Sequence, residues 1–232
     1  SATSVRSEED DFFLREVTPH MEEAIRRGLQ YIDSEGHGTR DGGFSSSYPV
    51  AATSLGVLAL MASGNGYDRG EYGRSVRKGV DYLLKSCQAN GFISATSDPD
   101  GRMHSLGYAA LALSQADGMV PRTLQQGLRE KLTRSINLIV KSQTREGGWG
   151  YHYYGEAEDR WDEASVTICM IQALRAARNA GLEVDVSVIR HAQDYVRRCA
   201  KPDGSFRYSL AQNYERSSYE LTAAAVSTLN ST

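Results

Sequence analysis

Cysteine is scarce: Cys87, Cys169 and Cys199 are the three in 232 residues. An odd, widely spaced set argues against a disulfide framework, and without a CxxC or Cys/His pair no zinc site is indicated. They read as buried free thiols. Excess charge of one sign is also missing. The 26 Lys and Arg stand against 29 Asp and Glu, a net charge of −3 with both signs mixed along the chain. Without a basic stripe, a nucleic-acid partner is not expected. No apolar run approaches the roughly 18 residues of a membrane-spanning helix; the longest, 55–61 and 109–113, are short and broken by small residues. Alternating strand patterns are nearly absent. P-loop, GxGxxG, GxSxG and HExxH patterns do not occur, so neither a cofactor nor a metal is called for. The amino terminus has no charged-then-apolar signal pattern. The compartment stays open, with cytosol the default, since an upstream signal or anchor would leave no trace.

What is present repeats. Four Gly-aromatic turns stand out, ending in Phe44, Phe92, Trp149 and Phe206, and their aromatics are 48, 57 and 57 residues apart. Each follows a helical pattern, at 25–32, 76–84, 132–140 and 189–196, with apolar residues at i, i+4 and i+7 and charges on the other face. A small residue recurs in each, Gly28, Gly79, Ser135 and Ala192, where a neighbour can approach closely. After each turn comes a segment rich in Ala, Leu, Ser and Thr and poor in charge: 51–62, 104–116, 163–180 and 219–229. That composition predicts a helix buried on most sides. Each unit is therefore a polar outer helix, a Gly-aromatic loop and a buried inner helix. The expected fold class is all-α, a partial α/α toroid of about four helical hairpins. Its domain covers 17–232, with repeats near 20–64, 72–118, 122–181 and 186–232, after a polar extension over 1–16.

End signals agree with these helices. Ser217 and Glu220 fit a capping box for the fourth inner helix. Asp162 or Asp159 can cap the third, and Pro121 suits the first turn of the third outer helix. Gly64 and Gly181 stand where a C-terminal glycine belongs.

The arrangement resembles the terpenoid cyclase/protein prenyltransferase superfamily, and within it the prenyltransferase/squalene-oxidase-repeat proteins of bacteria. The link is a QW-like motif: Arg134-Ser135, then 138–140, then Gln143, Gly147, Gly148 and Trp149. Lys78-Gly79, 82–84, Gln88 and Gly91-Phe92 form a shortened copy, and Arg27-Gly28 with Tyr31-Ile32 keeps the front half. Asp203, Gly204, Ser205 and Phe206 keep only the turn. The resemblance implies an α/α toroid in which Gln143 and Trp149 tie a helix end to the neighbouring turn. Two family signatures are missing. No DxDD occurs, and no Asp-x-Cys pair accompanies Cys169 as a zinc ligand set would require. The full ring of that superfamily also takes more hairpins than the four read here, so the chain is expected to be a fragment, an open ring, or one closed by a second copy.

Inner-helix starts and the loops before them converge on one mouth of such a ring. Candidate ligand-binding residues there are Tyr48, His104, Tyr108, Tyr151, Tyr153, Tyr154, Trp161, Arg216, Tyr219 and Glu220, with Tyr214 beside them. Aromatic faces suit a carbocation or an ammonium, and tyrosine hydroxyls a polar substrate. His152 beside carboxylates is a candidate general base, or a locally bonded loop histidine. Asp162 and Glu163 are candidate acids with raised pKa values, or helix caps. Three functions remain open: a protein binding an isoprenoid or other apolar molecule in an aromatic cavity, a non-catalytic protein- or lipid-binding scaffold, and a carbohydrate-active toroid, either lyase or hydrolase.

Overall fold

The computed structural model describes residues 17–38, 41–95, 102–153, 161–211 and 214–230. Among them are eight helices: α1 Pro19–Gly38, α2 Pro49–Ala62, α3 Gly73–Lys85, α4 Met103–Ala116, α5 Arg122–Lys141, α6 Ala164–Asn179, α7 Val186–Arg198 and α8 Tyr219–Asn230. The extension 1–16, Tyr154, Asp159 and the last two residues lie outside the described residues.

The even-numbered helices form the inner layer. Helix α4 packs against α2 and α6, and α6 also against α8. Three outer helices each bridge two inner ones, α3 on α2 and α4, α5 on α4 and α6, α7 on α6 and α8, while α1 packs on α2 and on α3. Their apolar stripes explain this. Val76, Gly79, Val80 and Leu83 are buried on α3, and Leu128, Leu132, Ser135, Ile136 and Ile139 on α5. Helix α6 buries residues around most of its circumference, among them Val166, Ile168, Met170, Ile171 and Leu174; α8 departs from the expectation for an inner helix and buries one stripe, Leu221, Ala225 and Thr228. The fold is all-helical and stacked in two layers, as the repeat pattern predicts. No described helix is long and apolar enough to cross a membrane.

The turns hold the layers together. Phe44, Phe92, Trp149 and Phe206 are all buried. In three of the four units a threonine on the following inner helix receives the aromatic residue's amide: Thr53 from Phe44, Thr167 from Trp149 and Thr222 from Phe206. The small residues of α3 and α5, Gly79 and Ser135, meet the loop of the hairpin before them. Phe44 lies on Gly79, where a Cβ would also come within 2.3 Å of Val57 Cγ2. The Ser135 hydroxyl donates to the Gly91 carbonyl at 2.6 Å. Gly28 departs from this expectation, because a Cβ there would meet nothing within 4 Å. Helix α1 is the first outer helix among the described residues.

Gln143 and Trp149 work on different carbonyls. The Gln143 amide donates to Gly147 O at 2.9 Å and to Val188 O at 3.0 Å, stapling the turn to the first turn of α7. The Trp149 indole donates to Ile139 O at 2.8 Å in the last turn of α5. That helix-end carbonyl also accepts from the Ser142 amide and hydroxyl, so the indole joins an existing cap.

Two cap assignments change. Glu163, not Asp162, caps α6 by accepting from the Val166 amide. On α8 the cap is Ser218, whose hydroxyl accepts from the Leu221 amide, one residue later than the Ser217 expected. Pro121 is the residue just before α5 rather than inside its first turn. Gly64 (φ 90) and Gly181 (φ 79) take the left-handed conformation expected of C-terminal glycines.

Candidate functional site: the inner-helix mouth

The starts of the four inner helices lie side by side, and a chain of contacts runs across them. Tyr48 precedes α2 and Arg102 precedes α4; the Arg102 guanidinium sits 5.4 Å from the centre of the Tyr48 ring. Arg102 pairs through its backbone with His152, and the Met103 amide donates to Tyr151 O at 2.9 Å. The Tyr151 ring is 5.4 Å from His104 and its hydroxyl donates to Glu163 Oε1 at 3.2 Å. Past Glu163, the Ala164 amide donates to Tyr208 O, and the Tyr208 and Ser218 hydroxyls are 2.9 Å apart at the start of α8. Arg216 lies 5.5 Å over the Tyr208 ring.

Local structure at Tyr48 and Arg102 runs against local preference. Tyr48 has φ 49 and ψ 52, a left-handed conformation that costs a side-chain-bearing residue about 1–2 kcal/mol. Neither Tyr48 nor Arg102 caps its helix through a side chain. A guanidinium at a helix start opposes the partial positive charge of that end. Two unfavourable choices meet at one contact, the kind of place where local rules give way to function.

His104 and Glu163 are tied down. His104 Nε2 is 3.1 Å from Ser165 Oγ, and its ring also faces Tyr108 at 6.3 Å. Burial, with help from the Arg102 charge, depresses its pKa from 6.5 to about 4. Glu163 accepts three hydrogen bonds, from Tyr151, Ser165 and the Val166 amide. Burial nevertheless raises its pKa, only partly offset by those bonds. Burial also raises the Cys169 thiol well above its usual range, so it stays protonated, with its sulfur 3.9 Å from His104 O. Cys169 is thus a packing residue under the mouth. Among the described residues no three His, Cys, Asp or Glu side chains cluster as metal ligands.

The His104 shift has a measurable consequence. A folded-state pKa below the unfolded value gives stability that is present above pH 6.5 and is lost as pH falls toward about 4. Full titration removes about 3 kcal/mol at 1.36 kcal/mol per unit. Urea unfolding of His104→Gln should show a shallower loss between pH 7 and 4 than the parent; equal slopes would assign the loss elsewhere.

The structure separates the sequence candidates into groups. Tyr48, His104, Tyr108, Tyr151, His152, Glu163 and Arg216 stand along the mouth. Tyr219 and Glu220 begin α8 at its edge, with Tyr219 93% exposed. Tyr153 turns outward and stacks on Phe92 at 5.5 Å. Asp162 and Trp161 leave the mouth altogether. The backbone around Glu163 is extended (φ −139, ψ 129), so Asp162 and Glu163 point to opposite sides. Asp162 faces an outer groove, where its Oδ2 accepts from Thr144 at 2.6 Å. Asp162 and Glu163 therefore do not form one acid pair. Arg102, Ser165 and Tyr208 complete the mouth and were not among the sequence candidates.

Comparison with known proteins adds the fold. No protein-family model and no curated protein matches the chain. Solved structures do. A structure described as a possible GH105-family member from Salmonella enterica aligns with TM-score 0.71 at 16% identity, over 91% of this chain and 65% of that one. Glycosyl hydrolase family 88 from Bacteroides vulgatus aligns with TM-score 0.66 at 13% identity, over 94% and 70%. The type II terpene cyclase MstE from Scytonema aligns with TM-score 0.60 at 18% identity, over 92% and 58%. The chain thus spans about six- to seven-tenths of the length of these structures. At such identities the likeness speaks for fold alone: the chain has the α/α-toroid fold that type II terpene cyclases share with these hydrolases.

Proposed function

We propose that this chain is the ligand-binding part of a terpenoid-cyclase-like toroid. Its ligand is an amphiphile with an anionic head and an apolar, isoprenoid-type body, held at the inner-helix mouth. The observation that carries this reading is Arg102, set over the strained Tyr48 ring at two helix starts that lack side-chain caps. Helix starts and a guanidinium together favour an anion. The rings of Tyr48, Tyr108 and Tyr151 supply apolar faces beside it. Binding is favoured over protonation chemistry, because the Glu163 carboxylate is already engaged by three donors. The hydrogen bonds of Gln143 and Trp149 support reading them as a QW motif, which favours the squalene-cyclase branch. The ring is completed, on this reading, by further hairpins or a second copy.

A second reading is an acidic carbohydrate. It is favoured by the polar groups His104, Ser165 and Glu163 in the mouth, and by the hydrolase names among the structural neighbours. Native mass spectrometry with farnesyl diphosphate, squalene and a galacturonate oligomer separates the readings. Retained farnesyl diphosphate, weakened about 10- to 100-fold in Arg102→Ala as expected for a lost charge-assisted bond of 1.5–3 kcal/mol, supports the first. Retention of the uronate instead selects the second. Squalene alone, or nothing, contradicts the role given to Arg102.

A further inference from the structure

Three times within the chain, one hairpin fastens to the next by the same joint. A turn glycine with positive φ faces the backbone carbonyl just before the small residue of the following outer helix. An added Cβ would come within 3.4 Å of Lys78 O at Gly42, 2.6 Å of Arg134 O at Gly91 and 2.6 Å of His191 O at Gly147. The small residue in turn fits under the hairpin before it. On α3, a Cβ added at Gly79 would meet Val57 Cγ2 at 2.3 Å and the Phe44 ring at 3.3 Å.

Both halves of this joint occur once more, and neither is filled among the described residues. The socket half is on α1. Gly28 holds the place of Gly79, Ile25 that of Val76 and Tyr31 that of Tyr82. Ile25 is 55% exposed where Val76 is 0%, and Tyr31 is 65% exposed where Tyr82 is 5%. A Cβ added at Gly28 meets nothing within 4 Å. The plug half is on the fourth hairpin. Gly204 has φ 84 and nothing within 4 Å of an added Cβ. Val226 follows the turn-fastening Thr222 by four residues, as Val57 follows Thr53, and is 45% exposed where Val57 is 0%. One sequence pattern therefore leaves an open plug at one end of the stack and an open socket at the other. Clustered apolar exposure of this kind marks an interaction surface.

We propose that copies of this chain join head to tail, with the Gly204 turn and Val226 of one copy seated on Ile25, Gly28 and Tyr31 of the next. The occupant is a second copy because the chain carries both halves, in the register in which α2 and its turn already fit α3. Plug and socket are different surfaces, so the contact is heterologous and either closes into a ring or runs on as an open chain. It lies at the ends of the layered stack and needs no ligand at the mouth.

Sedimentation velocity of the full chain over a range of concentrations tests this. Masses at multiples of the monomer, rising with concentration, are expected, and Gly28→Trp should abolish them. A side chain there points into open space within its own chain, so the variant should keep the circular dichroism and unfolding curve of the dilute parent. A covalent test borrows the geometry inside the chain. A Cβ added at Gly42 would lie 3.9 Å from Tyr82 Cβ, within the range of a disulfide. The equivalent pair across copies is Gly204 and Tyr31. In a Cys87→Ser background, Gly204→Cys mixed with Tyr31→Cys should form the mixed disulfide, and neither variant alone should form much dimer. A parent that stays monomeric at millimolar concentration overturns the proposal. So does an oligomer undiminished in Gly28→Trp, or a Tyr31→Cys disulfide that forms equally well without Gly204→Cys. Ligand binding does not enter these tests, so their failure leaves the reading of the mouth as it is.

Discussion

Replacing Trp149 with alanine is expected to destabilise the protein by about 3–5 kcal/mol, the range for emptying a buried Trp site. The indole is 1% exposed, and it supplies the hydrogen of Ile139 O at the end of α5. Its loss leaves a cavity and takes one donor from a carbonyl that keeps the Ser142 amide and hydroxyl. For a domain of this size, Tm should fall on the order of 10 °C. The contrast with Trp161→Ala, an exposed site expected to change stability by less than about 0.5 kcal/mol, makes thermal unfolding decisive. Equal shifts in the two variants would show that Trp149 does not join the layers.

Gly91→Ala is expected to cost about 2–6 kcal/mol. The φ of 93 is left-handed, which costs an alanine about 1–2 kcal/mol. A Cβ would also lie 2.5 Å from the Arg134 carbonyl carbon and 2.6 Å from its oxygen. Those atoms are backbone in α5 and cannot rotate away, so overpacking adds about 1–3 kcal/mol or more. Gly204→Ala is the control. It has φ 84 at the equivalent turn with nothing within 4 Å of a Cβ, so it should show the conformational part alone. Urea unfolding of both variants measures the difference. If Gly91→Ala costs no more than Gly204→Ala, the loop does not press on the next outer helix.

The layered fold was legible because two periodic signals agreed. Apolar stripes marked α3, α5 and α7 as outer helices, and Gly-aromatic turns marked the joints. The threonines that fasten the turns were not legible. Thr53, Thr167 and Thr222 sit in Ala- and Leu-rich helices, where a threonine reads as filler. Proximity in sequence places Tyr153 at the mouth, but Phe92 gives its ring a partner on the other side. Asp162 and Glu163 are both candidate acids in the sequence, and which of them faces the mouth is set by the extended backbone at Glu163, which sends neighbouring side chains to opposite sides. Arg102 stands before α4 next to a stretch without periodicity, and its meaning depends on where that helix begins. A cation at a helix start is the signal that would have singled it out once Met103 was known to be the first helical residue.

The central claim is that the mouth selects an anionic head through Arg102. The direct measurement is calorimetric titration of farnesyl diphosphate and of uncharged farnesol into the parent protein and into Arg102→Ala. The diphosphate should bind more tightly than farnesol to the parent, lose that advantage in Arg102→Ala, and weaken as salt is raised. Equal affinity of the two ligands for the parent, or an undiminished diphosphate preference in Arg102→Ala, would contradict it.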